Sequence, residues 1–247
     1  VGVVTIVDRE AKMGSAENPG RLIGVLLFLQ LAGLIVPFVL LHPLTTGPQG
    51  HLANAAGASS AIKVAVFLLF ANCTLTIGIS IAAFRTFHRH SEAMALWLLA
   101  ASVIMFLLQA VDNVYVLSML SLSWEYARAG GPDDLFRALA AAVGSTRKWA
   151  HTTELAAIDA WIFLLHGILY RYALVPRPLA AFGLITAVLH FTGIPLQSFL
   201  GRGLVMPMGV PMAVSHLALA AWLVARGLGG GRAPLRAAGR EGEPGRA

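Results

Sequence analysis

The sequence predicts an all-α integral membrane protein, a bundle of about six transmembrane helices with both termini cytoplasmic. Three observations predict it. Of 247 residues, 57% are hydrophobic and 12% charged, about half the charged fraction of a soluble domain. The apolar residues fall into six runs, each near the ~20 residues that a helix needs to cross a roughly 30 Å hydrocarbon core. The basic residues are distributed unevenly between the loops that join them.

The runs are Arg21 to Leu41, Ala61 to Phe84, Ala93 to about Val116, Thr152 to Val175, Leu179 to Leu200 and Met206 to Ala225. None alternates with period two, and an unpaired backbone group in lipid is costly, so helices are the spanning form. With a cytoplasmic N-terminus, the inner side carries Arg9, Lys12, Arg21, Arg85, Arg89, Arg171, Arg177, Arg226 and the arginines of the tail. The outer side then carries only Lys63, Arg128, Arg137, Arg147, Lys148 and Arg202. This is the positive-inside pattern. Tyr115, Trp124, Tyr126 and Trp149 fall at one boundary and Trp97, Tyr170, Tyr172 and Trp222 at the other, as aromatic belts do.

The domain reading follows. Residues 1–20 form a polar cytoplasmic segment with no small-residue cleavage site after the first apolar run, so the first span is expected to be retained. Residues 21–227 form the transmembrane domain and 228–247 a disordered cytoplasmic tail rich in Gly, Arg and Pro. The first outer loop, His42 to Ser60, is expected to lack regular structure. Within the outer loop at about 125–151, Pro132-Asp133-Asp134 followed by Leu135, Phe136, Leu139 and Val143 predicts a short capped amphipathic surface helix.

Several function classes are excluded by residue pattern. The chain carries no phosphate loop, metalloprotease histidine pair, nucleophile elbow or Rossmann glycine pattern. Its single cysteine, Cys73, supports neither a disulfide framework nor a Cys-based zinc site and reads as a small buried hydrophobe. The lysines Lys12, Lys63 and Lys148 all sit at or beyond span ends, which argues against a buried retinal Schiff base. Asn72-Cys73-Thr74 matches a glycosylation acceptor but lies within a span. The net charge of +6 comes from residues flanking apolar runs, so the partner is the lipid bilayer and no nucleic acid is expected.

Ionisable groups inside spans are expensive and therefore candidates for function. His166, His190 and His216 each fall in the middle third of the bilayer on three consecutive spans; His166 lies roughly 21 Å from the outer boundary at 1.5 Å per residue. His151, Asp159 and His166 share one helical stripe, as do Gln109, Asp112 and Asn113 on the third span and Thr186, His190 and Gln197 on the fifth. There Pro195 frees a carbonyl and favours a kink. Together they describe a polar cavity of Gln109, Asp112, Asn113, Asp159 and Gln197 that opens outward, floored by His166, His190 and His216. Met208, Met212 and His216 recur every four residues on the sixth span, and thioethers leading to imidazole suit Cu(I), while imidazole also suits Zn, Fe or haem. The bland reading stands beside this one: the methionines pack, the histidines make interhelical hydrogen bonds, and Asp112 and Asp159 pair across helix contacts.

The run Gly167-Ile168-Leu169-Tyr170-Arg171-Tyr172-Ala173-Leu174-Val175-Pro176-Arg177, followed by Leu179 and Gly183, and the ending Leu217 to Gly227 with its Leu219, Trp222, Leu223 and Arg226, resemble a bacterial membrane family, domain of unknown function 4386. Arg21 with Gly24 and the pair Phe84-Arg85 also fit, so the resemblance covers roughly residues 21 to 227. It implies six spans in a bacterial inner (plasma) membrane, and the family has no assigned activity, so no functional residue is carried over. Where such proteins often carry an acidic residue before the closing Leu-Trp-Leu run, this chain has Ser215-His216. Three functional expectations follow: a metal, haem or small polar ligand in the cavity; a non-catalytic subunit with membrane-protein partners; or a small transporter, against which the lack of a detectable inverted repeat counts.

Overall fold

The computed structural model describes residues 19–45, 50–130, 134–201 and 203–229. Much of the polar N-terminal segment, the Pro132-Asp133 cap, Arg202 and the tail beyond 229 lie outside the described residues. Each apolar run forms a helix. The helices are α1 (Pro19–Leu40), a one-turn α2 (His51–Asn54), α3 (Ser59–His88), α4 (Glu92–Arg128), α5 (Asp134–Arg171), α6 (Arg177–Leu200) and α7 (Val205–Arg226). All but α2 are long and apolar enough to cross a membrane.

Local chemistry sets the ends. Ser91 caps α4, its hydroxyl accepting the Met94 N–H at 3.3 Å, with Glu92 in the first turn and Arg128 in the last, where each charge suits the helix dipole. Pro176 precedes α6, and Gly201 ends it at φ 66°, the left-handed conformation that glycine adopts without a Cβ clash. Pro195 lies inside α6, which is assigned as one helix from Arg177 to Leu200.

The six long helices close into a ring in chain order: α1 packs on α3, α3 on α4, α4 on α5, α5 on α6, α6 on α7, and α7 returns to α1. Short connections make consecutive helices neighbours. Glycine closes the circle, because a Cβ on Gly24 would stand 2.7 Å from the Val224 nitrogen and 2.9 Å from the Ala220 carbonyl oxygen, and Gly20 abuts Gly227 and Leu228 in the same way. Small residues four apart let two backbones approach in this manner. Phe67, Leu107, Val114 and Ile185 point outward and exposed, as expected where hydrocarbon is the solvent.

Two apolar clusters fill the ring. One, nearer the chain termini, joins Ile23, Leu27, Ile79, Leu98, Leu165 and Leu223. The other, at the α2 end, joins Leu44, Ile62, Val66, Val116 and Leu120. Along α3 and α4 the buried polar residues Asn72, Thr76, Gln109, Asp112 and Asn113 lie between the two.

Two local expectations differ from the structure. The segment read as a separate surface helix is the first part of α5, which runs unbroken for 38 residues, about 57 Å. Polar positions in that segment still favour helix, so nothing in the backbone stops it before the apolar run begins. The first loop is also partly ordered. It contains a 3-10 turn at His42–Leu44 and α2, and Ser123 on α4 binds it by donating to the Leu52 carbonyl at 2.8 Å and accepting the Ala56 N–H at 2.9 Å.

Candidate metal and polar-ligand site

α5 carries the chemistry. Its most apolar 18-residue stretch has the lowest mean hydropathy of the six long helices, 1.3 against 2.5 for α1, because Glu154, Asp159 and His166 fall within it; Arg147 and the exposed His151 precede it on the same helix. Glu154 and Asp159 are each only 2% exposed, and His166 is fully enclosed.

At the α2 end, α5 faces Asp112 of α4. The Arg147 Nη2 donates to Asp112 Oδ2 at 3.4 Å. The His151 Nδ1 stands 3.1 Å from Glu154 Oε2 and 4.0 Å from Asp112 Oδ2. The spacing of His151 and Glu154 on one helix brings their side chains together, and only the docking of α4 supplies Asp112. Among the described residues, Asp112, His151 and Glu154 are the His, Cys, Asp or Glu set whose ligand atoms all lie within 4.8 Å of one another. A tetrahedral ion with bonds of about 2.1 Å needs ligand atoms about 3.4 Å apart; the two separations from His151 are 3.1 and 4.0 Å, and that between Asp112 and Glu154 is within 4.8 Å.

Of this group His151 lines a cavity of about 360 Å³, whose wall also includes His51 of α2, Met119 of α4, Arg147 and Lys148 of α5 and Gln197 of α6, with Asp112 and Glu154 behind it. His51 is held neutral over a wider pH range than usual: burial, then the nearby Arg147 charge, push its pKa below the ordinary histidine value.

Deeper in the bundle the polar side chains mostly satisfy one another. The His190 Nδ1–H donates to both Asp159 oxygens, at 2.7 and 2.9 Å. His216 donates its Nε2–H to the Gln30 side-chain oxygen at 3.1 Å, Gln30 donates to Thr76, and Thr76 donates to the Asn72 carbonyl at 3.2 Å. Three helices are thereby joined. Thr186 donates to Ser215 at 3.0 Å. His166 packs against Gly183, where a Cβ would fall on its ring, and neither of its ring nitrogens has a hydrogen-bond partner among the described residues.

The residues singled out by sequence are thus distributed over separate contacts. Gln109 donates to Asn113 at 3.1 Å, and Asn113 reaches the Val66 carbonyl at 3.5 Å. Gln197 accepts the Val205 N–H at 3.3 Å, tying α6 to the start of α7, and lines the cavity. Met208 covers Gly193, its sulfur 2.9 Å from where a Cβ would lie, and Met212 packs on the larger apolar cluster. Cys73 is buried, its Sγ 4.0 Å from Gln109. Sequence reasoning missed Glu154, Arg147 and His51 as members of a site. His151 and Glu154 three residues apart on a helix carried a detectable signal; His51, in a glycine-rich loop, carried none.

No curated protein and no solved structure matches the chain. A family model described as Domain of unknown function (DUF4386) matches residues 22–227. That span takes in α2 to α7, all of α1 after Arg21 and every residue of the site, and the chain is a member of the DUF4386 family.

Proposed function

We propose that this protein binds a divalent first-row transition metal ion, Zn, Fe or Mn, through Asp112, His151 and Glu154, in a pocket open to the outer side of a bacterial plasma membrane. The observation that carries the reading is the convergence of three ligand atoms within 4.8 Å, from two helices that the fold brings together. Two buried carboxylates are costly without compensation; Arg147 faces Asp112 and the His151 imidazole faces Glu154, and a metal ion held between His151 and both carboxylates would offset them more fully. An imidazole with two carboxylate oxygens is a borderline-hard donor set, suited to these ions rather than to Cu(I). The sidedness rests on the excess of Lys and Arg at the other end of the bundle. The neighbouring cavity leaves coordination positions open to solvent or a ligand, the arrangement of a working site rather than a closed structural one.

The test is metal titration of detergent-purified protein stripped of metal. One equivalent of Zn²⁺ or Mn²⁺ should bind, and Asp112→Asn or Glu154→Gln should weaken binding by at least about tenfold. His190→Ala should leave binding intact, because His190 lies with Asp159. Absence of stoichiometric binding by the unaltered protein would overturn the reading.

A further inference from the structure

We infer that the same pocket takes an oxyanion, a carboxylate or a phosphate, held between the metal and the Arg147–His51 wall. The inference rests on the metal reading above and names the class of ligand that the site would bind.

Three buried polar atoms around this pocket lack a hydrogen-bond partner among the described residues: Asp112 Oδ1, Arg147 Nε and His51 Nε2. Their chemistry divides in two. Asp112 Oδ1 is an acceptor and belongs to the cation side. Arg147 Nε–H can only donate, and its Nη2 is already engaged by the other Asp112 oxygen. His51 can add a second donor through Nε2. Both residues line the one cavity, and donors that share a cavity next to a cation site fit the oxygen atoms of an anion.

His51 is placed there by construction. It is 8% exposed, on a helix of a single turn whose following residues are bound by Ser123. Its Cε1 would lie 3.8 Å from a Cβ on Gly144, so the ring packs against α5 at a glycine, and both residues line the cavity. A water molecule can satisfy one of these atoms, yet it brings no charge.

Charge decides for an anion. Asp112 is offset by Arg147, Glu154 faces His151, and Lys148 lines the same cavity; a divalent ion added to these groups leaves a positive excess that a bound anion offsets. Asp112 and Glu154, 1% and 2% exposed, favour such balance. Beyond the polar wall, Met119, Leu155 and Ile194 line the cavity and offer apolar surface to the carbon part of an organic anion. The volume of about 360 Å³ lies within the ~300–1,000 Å³ range of small-molecule pockets.

The experiment uses Co²⁺ as the metal, because its visible bands report its coordination, with the full chain in phosphate-free maltoside detergent. Addition of inorganic phosphate or acetate should change the Co²⁺ spectrum saturably and tighten Co²⁺ binding by about tenfold. Arg147→Gln and His51→Gln should keep one equivalent of Co²⁺ and lose most of the anion response, while Arg137→Gln, exposed on α5 beside Asp134 and away from the cavity wall, should retain it. If Arg147→Gln does not fold, as judged by gel filtration and circular dichroism, His51→Gln on the short loop helix carries the test. A parallel titration with phosphatidylglycerol separates the sources: a response to the lipid alone identifies a headgroup, a response to the free anions a soluble ligand. Co²⁺ binding that ignores every anion would overturn this inference and leave the metal reading standing. Failure to bind Co²⁺ at all would overturn both.

Discussion

Trp161 on α5 donates its indole N–H to the Ser80 hydroxyl on α3 across 2.9 Å, although the two helices are not neighbours in the ring. The bond crosses the middle of the bundle, and Trp161, 1% exposed, also packs beside His216 of α7 with ring centroids 6.4 Å apart. At the level of Trp161 the centre of the ring is therefore occupied by side chains.

Ser80→Ala should leave the indole N–H buried without an acceptor and cost about 1–3 kcal/mol. Trp161→Phe with Ser80→Ala should then cost less than the sum of the two changes, with a coupling of about 0.6–1.7 kcal/mol. Reversible unfolding in mixed micelles measures both.

Gly183→Ala should destabilise by about 1–3 kcal/mol, since the added methyl falls on the His166 ring. Gly167→Ala is the control, because nothing lies within 4 Å of a Cβ there, and it should be neutral or slightly stabilising. Equal effects in the two variants, in a thermal unfolding assay, would contradict the packing described.

Gly24→Ala should separate α1 from α7, because the obstacles are backbone atoms that cannot rotate aside. A cysteine pair placed across that contact should cross-link in the unaltered chain and far more slowly in the variant.

His51 makes stability depend on pH. Its folded pKa lies below the unfolded value, so between the two the unfolded chain holds the extra proton and stability rises with pH. The contribution is complete above about pH 6.5 and is lost as pH falls through the window down to the lowered pKa, below which it is flat. The difference between the unaltered protein and His51→Gln, followed from pH 7.5 to 5, isolates this effect from the other titrating groups and should shrink with acidification.

The positions of the long helices were readable because hydropathy and length are local properties of the chain. Arg21 to Leu41 and Leu179 to Leu200 match α1 and α6 to within two residues. The ends of α4 and α5 were less readable. Their polar extensions carry no hydrophobic signal, yet they remain helical as far as Arg128 and back to Asp134. Gln109, Asp112 and Asn113 were readable as one inward face from their spacing, and all three are buried. Which groups they meet was not readable, because a stripe on one helix says nothing about the rotation or height of the next.

Sequence alone determined that six apolar segments cross a bilayer as helices and that each carries its polar residues on one side, because hydrocarbon forces both results segment by segment. Tertiary structure decided that Asp159 meets His190 while Asp112 meets Arg147, His151 and Glu154. Those pairings depend on how far each helix slides and turns against its neighbour, which is set by small-residue contacts such as Gly183 against His166 and by the Ser123 anchor that brings His51 over the pocket.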